Sequence, residues 1–260
     1  MTTQPCDAEL RRAVRHFLAR SDIRDNLELL DRRLPAAAQL YVAGGAPRNA
    51  IIGAVHGQAP PTRDIDIFIG GMERDFSLPD LLKDLQTKPT DLKGLRWQPA
   101  GSHLAYDISL LPDFLVIDHY QLEPTLEIFL ECIDFTINAI VFDVRGQVLH
   151  DAGCAAAVRA RTIAFNSYRI PDKVMIAYRI LLMAHKTGFR LAEPVFDFVR
   201  QRLELEALIR LKGLLRAKVG KTGAVAIMAA YDDLCRYHAY EAYSGAHPVS
   251  AHTTEPPSGR

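Results

Sequence analysis

Apolar side chains recur at helical spacing near the start of the chain: Leu10, Val14, Phe17 and Leu18, then Leu27, Leu29, Leu30 and Leu34. Residues 7–34 therefore read as helix in two segments, with Asp22 capping the second and Pro35 stopping it. The pattern then shortens. Gln39-Leu-Tyr-Val-Ala43 is a compact apolar run ending in Gly44-Gly45, which predicts a buried strand feeding a tight glycine turn. Pro47 suits the first turn of a following helix over 48–53, and Gly57, Pro60 and Pro61 mark a loop. Over 64–69, Asp64, Asp66 and Phe68 alternate with Ile65, Ile67 and Ile69, a strand period that ends at Gly70-Gly71.

Further along, 78–85 reads as helix, and apolar runs at 104–111 and 114–120 read as strands of a hairpin around Pro112-Asp113. Residues 125–131 fit either state. A strand is expected over 135–143, paired with 147–150 across Arg145-Gly146. Pro171 opens a helix that runs to Thr187 and closes at Gly188, and helices fill 195–240. The polar, Pro-rich stretch that follows is expected to be disordered. The expected architecture is α+β: N-terminal helices (1–38), a mixed sheet with flanking helices (39–165), a small helical domain (166–240) and a tail (241–260). No internal repeat interrupts this order.

Composition adds limits. The 260 residues are 48% hydrophobic and 24% charged, an ordinary globular mix with enough apolar material for a real core. Thirty-one basic residues balance 31 acidic ones, so any nucleic-acid surface must be a local patch rather than a global charge. The best local candidate is 200–221, where Arg200, Arg202, Arg210, Lys212, Arg216, Lys218 and Lys221 face only Glu204 and Glu206. A solvated helix face and a phosphate-facing platform both fit that run. Cys6, Cys132, Cys154 and Cys235 form no CxxC pair, and no histidine pattern suggests zinc, so Cys132 and Cys154 read as buried thiols in a reducing compartment. The start, MTTQPCDAEL, lacks a signal-peptide core, and no apolar run approaches a membrane span; a cytoplasmic protein without membrane contact is the expectation.

Three segments carry chemistry. Gly44-Gly45-Ala-Pro-Arg48 lies between strand and helix, where glycine amides and a helix N-terminus can receive phosphate oxygens and Arg48 can add charge. Asp64-Ile-Asp66 puts two carboxylates on one strand face, where they repel unless a cation or protons lie between them. Mg²⁺ prefers such hard oxygens and shares them with substrate phosphates. Asp134-Phe-Thr-Ile-Asn138 would align Asp134 and Asn138 on one face of a regular strand, with hydrogen-bonding groups suited to sugar hydroxyls. A turn aspartate with a satisfied core asparagine is the plainer alternative.

In this order the segments resemble the head domain of the class II tRNA nucleotidyltransferase (CCA-adding enzyme) and bacterial poly(A) polymerase family. That family shows GG-x-V-R-D, then DxD, then R-R-D-F-T-x-N-A. The matching stretches here are Gly44-Gly45-Ala-Pro-Arg48-Asn49, Arg63-Asp64-Ile-Asp66 and Ile133-Asp134-Phe-Thr-Ile-Asn138-Ala139. The likeness continues through Val141-Phe-Asp143, Gly146, His150-Asp-Ala-Gly153, Tyr178-Arg179 and Lys186-Thr-Gly-Phe189, covering about residues 40–190.

The resemblance implies a polymerase-beta-type sheet and a transferase moving NMP from an NTP, most simply to an RNA (tRNA-type) 3′ end. It implies that Asp64 and Asp66 hold two Mg²⁺ ions, that Gly44, Gly45 and Arg48 hold the triphosphate, that Asp134 and Asn138 read the ribose, and that Arg179 reaches the nucleotide. A third carboxylate normally comes from a neighbouring strand: Asp107 is the candidate, with Asp118 and Glu127 as rivals. Transfer to a protein or small molecule, and a catalytically degraded nucleotide- or RNA-binding module, are the alternatives. The departures are specific. Asn49 replaces the family's aspartate, and Cys132 and Ile133 replace its paired arginines. Asp172, Lys173 and Ile176 stand where E-D-x-x-R would select the base.

Overall fold

The computed structural model describes residues 7–90, 93–169, 171–201 and 203–247. In chain order it holds α1 (Asp7–Leu18), α2 (Ser21–Asp31), β1 (Gln39–Ala43), α3 (Gly45–His56), β2 (Asp64–Gly70), α4 (Leu78–Leu81), β3 (Thr87–Pro89), β4 (Leu95–Trp97) and β5 (Ala105–Leu110). There follow α5 (Leu115–Tyr120), α6 (Leu126–Cys132), β6 (Ile140–Asp143), β7 (Val148–Asp151), α7 (Cys154–Arg159), β8 (Thr162–Ile163), α8 (Lys173–Thr187), β9 (Arg190–Leu191), α9 (Glu193–Arg200), α10 (Leu205–Leu234) and α11 (Tyr240–Ala246). This is a mixed α/β architecture with helices after the sheet, as expected.

Seven strands form one sheet in the order β3-β4-β5-β2-β1-β6-β7. Within this sheet only β2 and β5 run parallel and the remaining pairs are antiparallel; β8 and β9 form a separate parallel pair. The alternation in β2 explains how the sheet is covered. Ile65, Ile67 and Ile69 are buried in the larger core with Leu40 and Val42 of β1, α1 and α2 residues such as Leu10, Val14, Ile23 and Leu27, and Ile51 of α3. The opposite face carries Tyr41 and Ala43 into a smaller cluster with Val116, Ile117 and Phe129, and Phe68 packs against it. Asp64 and Asp66 share Phe68's face but lie at the other end of the strand. Two apolar layers thus sandwich the sheet and leave the acidic end half-covered.

Several elements differ from the sequence reading. The expected hairpin at 104–120 does not form. Leu111–Asp113 makes a 3-10 turn after β5, and α5 follows, with the Asp118 amide bonded to the Phe114 carbonyl at 2.9 Å. A six- or seven-residue apolar run cannot be assigned by period alone; here Phe114 decides it by packing edge-on against Phe68 and Phe129. The ambiguous 125–131 is α6, capped by Thr125 Oγ1. The strand expected over 135–143 is only β6, because residues 136–138 form a 3-10 turn. Asp22 is not a cap: α2 begins at Ser21, and Asp22 pairs with Arg20. The helix at 78–85 shrinks to α4. The expected disorder begins too early: α11 forms because Tyr243 buries itself against Phe196, ring centroids 4.8 Å apart. The remaining tail, 248–260, lies outside the described residues.

Cys132 and Cys154 are free and buried, and burial pushes the Cys154 thiol up. Among the described residues no helix is long and apolar enough to cross a membrane.

Candidate active site

Strand register builds the acidic cluster. β2 and β5 are parallel neighbours with Asp66 opposite Asp107, so Asp64, Asp66 and Asp107 occupy one sheet face. The rivals lie elsewhere. Asp118 of α5 pairs with Lys93 and Arg74, and Glu127 of α6 lines a separate groove with Asn166 and Arg169.

The glycine turn meets this cluster. Gly44 has φ 62°, a left-handed value that favours glycine. A side-chain carbon at Gly44 would lie 3.5 Å from Asp66 Oδ2, and one at Gly45 would lie 3.9 Å from it. The α3 N-terminus therefore opens beside Asp66, and its first amides lack intrahelical acceptors.

Two cations contact the acids. Arg96 of β4 stands opposite Asp107 in the antiparallel register. Its Nη1 donates to Asp107 Oδ1 and Oδ2 at 3.0 and 2.9 Å, and its Nη2 donates to Asp64 Oδ1. Lys218 of α10 donates to Asp64 Oδ2 at 3.1 Å. Asp66 makes no side-chain hydrogen bond or ion pair among the described residues. The carboxyls differ accordingly. Burial raises Asp66, and the charges of Asp107 and Asp64 add to it against the opposing pull of Arg179 and Arg48. Burial also raises Asp107, against the opposing pull of Arg96. For Asp64, burial is outweighed by Lys218 and Arg96 together, and the carboxyl lies below its ordinary range.

A second group is fully connected. Arg48, only 5% exposed, lies beneath the turn rather than facing solvent. Its Nε and Nη2 donate to Asn49 Oδ1 at 3.1 and 2.9 Å, and its Nη1 donates to Asn138 Oδ1 at 2.6 Å. Asn138 Nδ2 donates to Asp134 Oδ1 at 3.1 Å, and Arg179 Nε of α8 donates to Asp134 Oδ2. Asn49 Nδ2 continues the chain to Thr62 Oγ1 at 3.0 Å. Asp134 and Asn138 do meet, but through this turn and not on a strand face. Asn49 holds Arg48 as an acceptor where the resembled family has a carboxylate. Burial works to raise Asp134, but Arg179, Asn138 and the Phe135 amide hold it below the usual range.

Three other motif aspartates make local contacts away from the acidic cluster. Asp143 Oδ1 closes the β6–β7 turn by accepting from the amides of Arg145 and Gly146. Asp151 Oδ1 receives the Gly153 and Cys154 amides at the start of α7. Asp172 caps α8 and pairs with Arg210, whose Nη1 lies 3.2 Å away. The basic run is therefore divided. Lys218 faces the acids, Arg210 holds Asp172, and Arg200 pairs with Asp197, while Lys212, Arg216 and Lys221 stay exposed. Arg202 lies outside the described residues.

Among the described residues no three His, Cys, Asp or Glu side chains converge as a metal-binding group. The donors nevertheless suit Mg²⁺, which commonly takes one or two carboxylates and completes its shell with phosphate and water. Asp66, half-buried beside the Gly44-Gly45 turn and without a cation in hydrogen-bonding contact, is the carboxylate that fits this description. Arg96 was not anticipated from sequence; its only signal was one charged residue between buried Leu95 and Trp97. Lys218 was visible only as part of a basic run.

No protein-family model matches the sequence, and no curated protein matches it. Solved structures do. A CCA-adding enzyme in complex with ATP superposes with a TM-score of 0.60 at 18% identity, over 89% of this chain and 56% of that one. The Thermotoga maritima CCA-adding enzyme complexed with tRNA gives 0.57 at 20% identity, over 89% and 55%. A tRNA-processing enzyme in its apo form gives 0.54 at 16% identity, over 80% and 58%. The class defined is one of fold: this chain has the fold of the CCA-adding enzymes. It spans a little over half the length of those solved chains.

Proposed function

We propose that this chain is a Mg²⁺-dependent nucleotidyltransferase that moves NMP from an NTP to an acceptor hydroxyl, most simply an RNA 3′ end of the tRNA type. The observation that carries this is Asp66, a raised, unpaired carboxylate within 4 Å of where side chains at Gly44 and Gly45 would begin. A binding module has no use for ionised acids crowded beside an anion-accepting turn, because their mutual repulsion costs stability.

The Gly44 amide is held by the Ile140 carbonyl at 3.3 Å, so in this reading the Gly45 amide and the α3 N-terminus receive the triphosphate, and Arg48 supplies positive charge from beneath. Asp134 and Asn138, fixed by Arg179 and Arg48, present the ribose contact. Asp66, with Asp64 beside it, would hold Mg²⁺, which when bound would polarise the phosphoryl oxygens and offset the charge that develops in transfer. The acceptor hydroxyl gives its proton to the Asp107 carboxylate, its oxygen bonds to the α-phosphorus, and the α–β bridging bond breaks to release pyrophosphate. Prealigned charge supplies most of the rate. The CCA-adding enzymes of like fold were solved with ATP, CTP and tRNA, which supports an NTP donor and an RNA acceptor. Exposed Lys212, Arg216 and Lys221 offer that acceptor a phosphate-binding face.

The test is incubation with each radiolabelled NTP, Mg²⁺ and total cellular RNA or protein. Label should appear in RNA with the wild-type chain and vanish with Asp64→Ala and Asp66→Ala. Full labelling by either variant would refute the assignment.

A further inference from the structure

The acids do not stand as three equivalent ligands, because the sheet itself delivers a cation to two of them. Arg96 is a cross-strand neighbour of Asp107, fixed by pairing of β4 with β5, with Leu95 and Trp97 buried on either side. Its guanidinium spans the gap to β2. One nitrogen lies astride both oxygens of Asp107, and the other donates to Asp64 Oδ1. Asp64 Oδ2 accepts from Lys218 at 3.1 Å. Of the six carboxylate oxygens, the four on Asp64 and Asp107 are engaged by protein cations, and the two on Asp66 are not.

Resting on the nucleotidyltransferase reading, we propose that Arg96 is a resident cation at the Asp64–Asp107 side of the cluster, so that the site takes one divalent ion, at Asp66, rather than two. A guanidinium stays charged at any pH a protein survives and presents paired donors in a rigid plane. It therefore offers fixed positive charge where acceptor oxygen and phosphoryl oxygens meet, without exchanging with solvent. A divalent ion at that position would have to displace Arg96 from both acids and leave its half-buried guanidinium without partners. Arg96 is thus a positioning residue that holds Asp64 and Asp107 and sets the number of metal ions.

Charge arithmetic agrees. Asp64, Asp66 and Asp107 carry three negative charges when ionised, and Arg96 and Lys218 return two positive ones. Asp66, next to the turn proposed to take the triphosphate, is the carboxylate left without a cation in contact, with Arg179 and Arg48 acting on it only at longer range. One divalent ion, shared with the phosphates, satisfies it.

The test is an ion count. Mn²⁺ is titrated into the full chain, and free Mn²⁺ is followed by its electron paramagnetic resonance signal. The count is made without nucleotide and with non-hydrolysable α,β-methylene ATP and CTP; analogue binding is measured separately by equilibrium dialysis. Expected are one Mn²⁺ per wild-type chain with analogue bound, two for Arg96→Gln, and one for Arg96→Lys. Without nucleotide, Arg96→Gln should bind Mn²⁺ about tenfold more tightly than wild type, the effect of about 1.4 kcal/mol. Two ions on the wild-type chain, or equal binding by wild type and Arg96→Gln, would overturn the proposal. The wild-type count decides even where Arg96→Gln fails to fold. Absence of analogue binding would instead count against the nucleotidyltransferase reading, and the nucleotide-free comparison would still judge Arg96.

Discussion

Two charged groups lie on either side of Gly44-Gly45, and they are built on opposite rules. Beneath the turn, Arg48, Asn49, Asn138, Asp134 and Arg179 form a closed relay in which every carboxylate oxygen has a donor. On the sheet face, three acids crowd together and one of them has no partner. The relay lowers the pKa of its buried carboxyl, whereas the cluster raises two of its three. The first arrangement stabilises the fold. The second is crowded by like charge, which in the proposed reading a divalent cation offsets. The contrast separates side chains whose charges are internally satisfied from those whose charges are not.

The largest effect expected on this contrast is at Asp66. Asp66→Asn should lower NMP transfer by about 10²–10³-fold, the scale for loss of a preorganised charge contact. It should also raise the melting temperature at neutral pH. Asp66 binds its proton more tightly folded than unfolded, so wild-type stability falls as pH rises from the ordinary carboxylate value to the raised one. The advantage of Asp66→Asn should therefore be full above the raised value and vanish below the ordinary carboxylate range. Melting curves across pH measure this, and an unstable Asp66→Asn would erase the contrast.

The relay should behave oppositely. Asp134→Ala should destabilise by about 1–3 kcal/mol, because Asn138 and Arg179 lose their acceptor. The folded carboxyl of Asp134 is depressed, so its contribution is present above the unfolded value and is lost as pH falls through the folded one. Urea midpoints of wild type and Asp134→Ala should converge at acid pH; a constant gap would show that the relay acts by packing alone.

Gly44→Ala sharpens the border between the two groups. Its backbone conformation (φ 62°, ψ −113°) costs about 1–3 kcal/mol for a residue with a side chain, and the added methyl narrows the space before Asp66. Nucleotide affinity should fall more than stability does, as equilibrium dialysis beside thermal melting would show. The smallest effect on the fold is at the outer face. Reversing Lys212, Arg216 and Lys221 should change stability by less than about 0.5 kcal/mol each. If RNA docks there, its affinity should drop and its salt dependence should flatten. Unchanged RNA binding would move the acceptor elsewhere.

Much of this was legible from local pattern. The run Gln39–Ala43 with its two glycines predicted β1 and the turn into α3, and alternation over 64–69 placed Asp64 and Asp66 on one face of β2. Segments whose state depends on distant packing were not legible. The run at 114–120 has a strand-like composition yet becomes α5 because Phe114 finds Phe68 and Phe129. Strands β3, β4, β8 and β9 are two or three residues long and too short for a period to show.

By itself, then, the sequence determined which short-range units exist: a glycine turn after a buried strand, two carboxylates two residues apart, an aspartate and asparagine four apart, and a long helix closing at Gly188. Those features are set by backbone geometry over a few residues. Only the tertiary structure decided what meets what. It brought Asp107 beside Asp66 through parallel pairing, laid Arg96 across Asp64 and Asp107, swung Lys218 from α10 onto Asp64, and turned Arg48 inward to Asn138. Each of these is a contact between residues far apart in the chain. Charge balance depends on separation in space, which sheet register and helix packing fix and which no local pattern records.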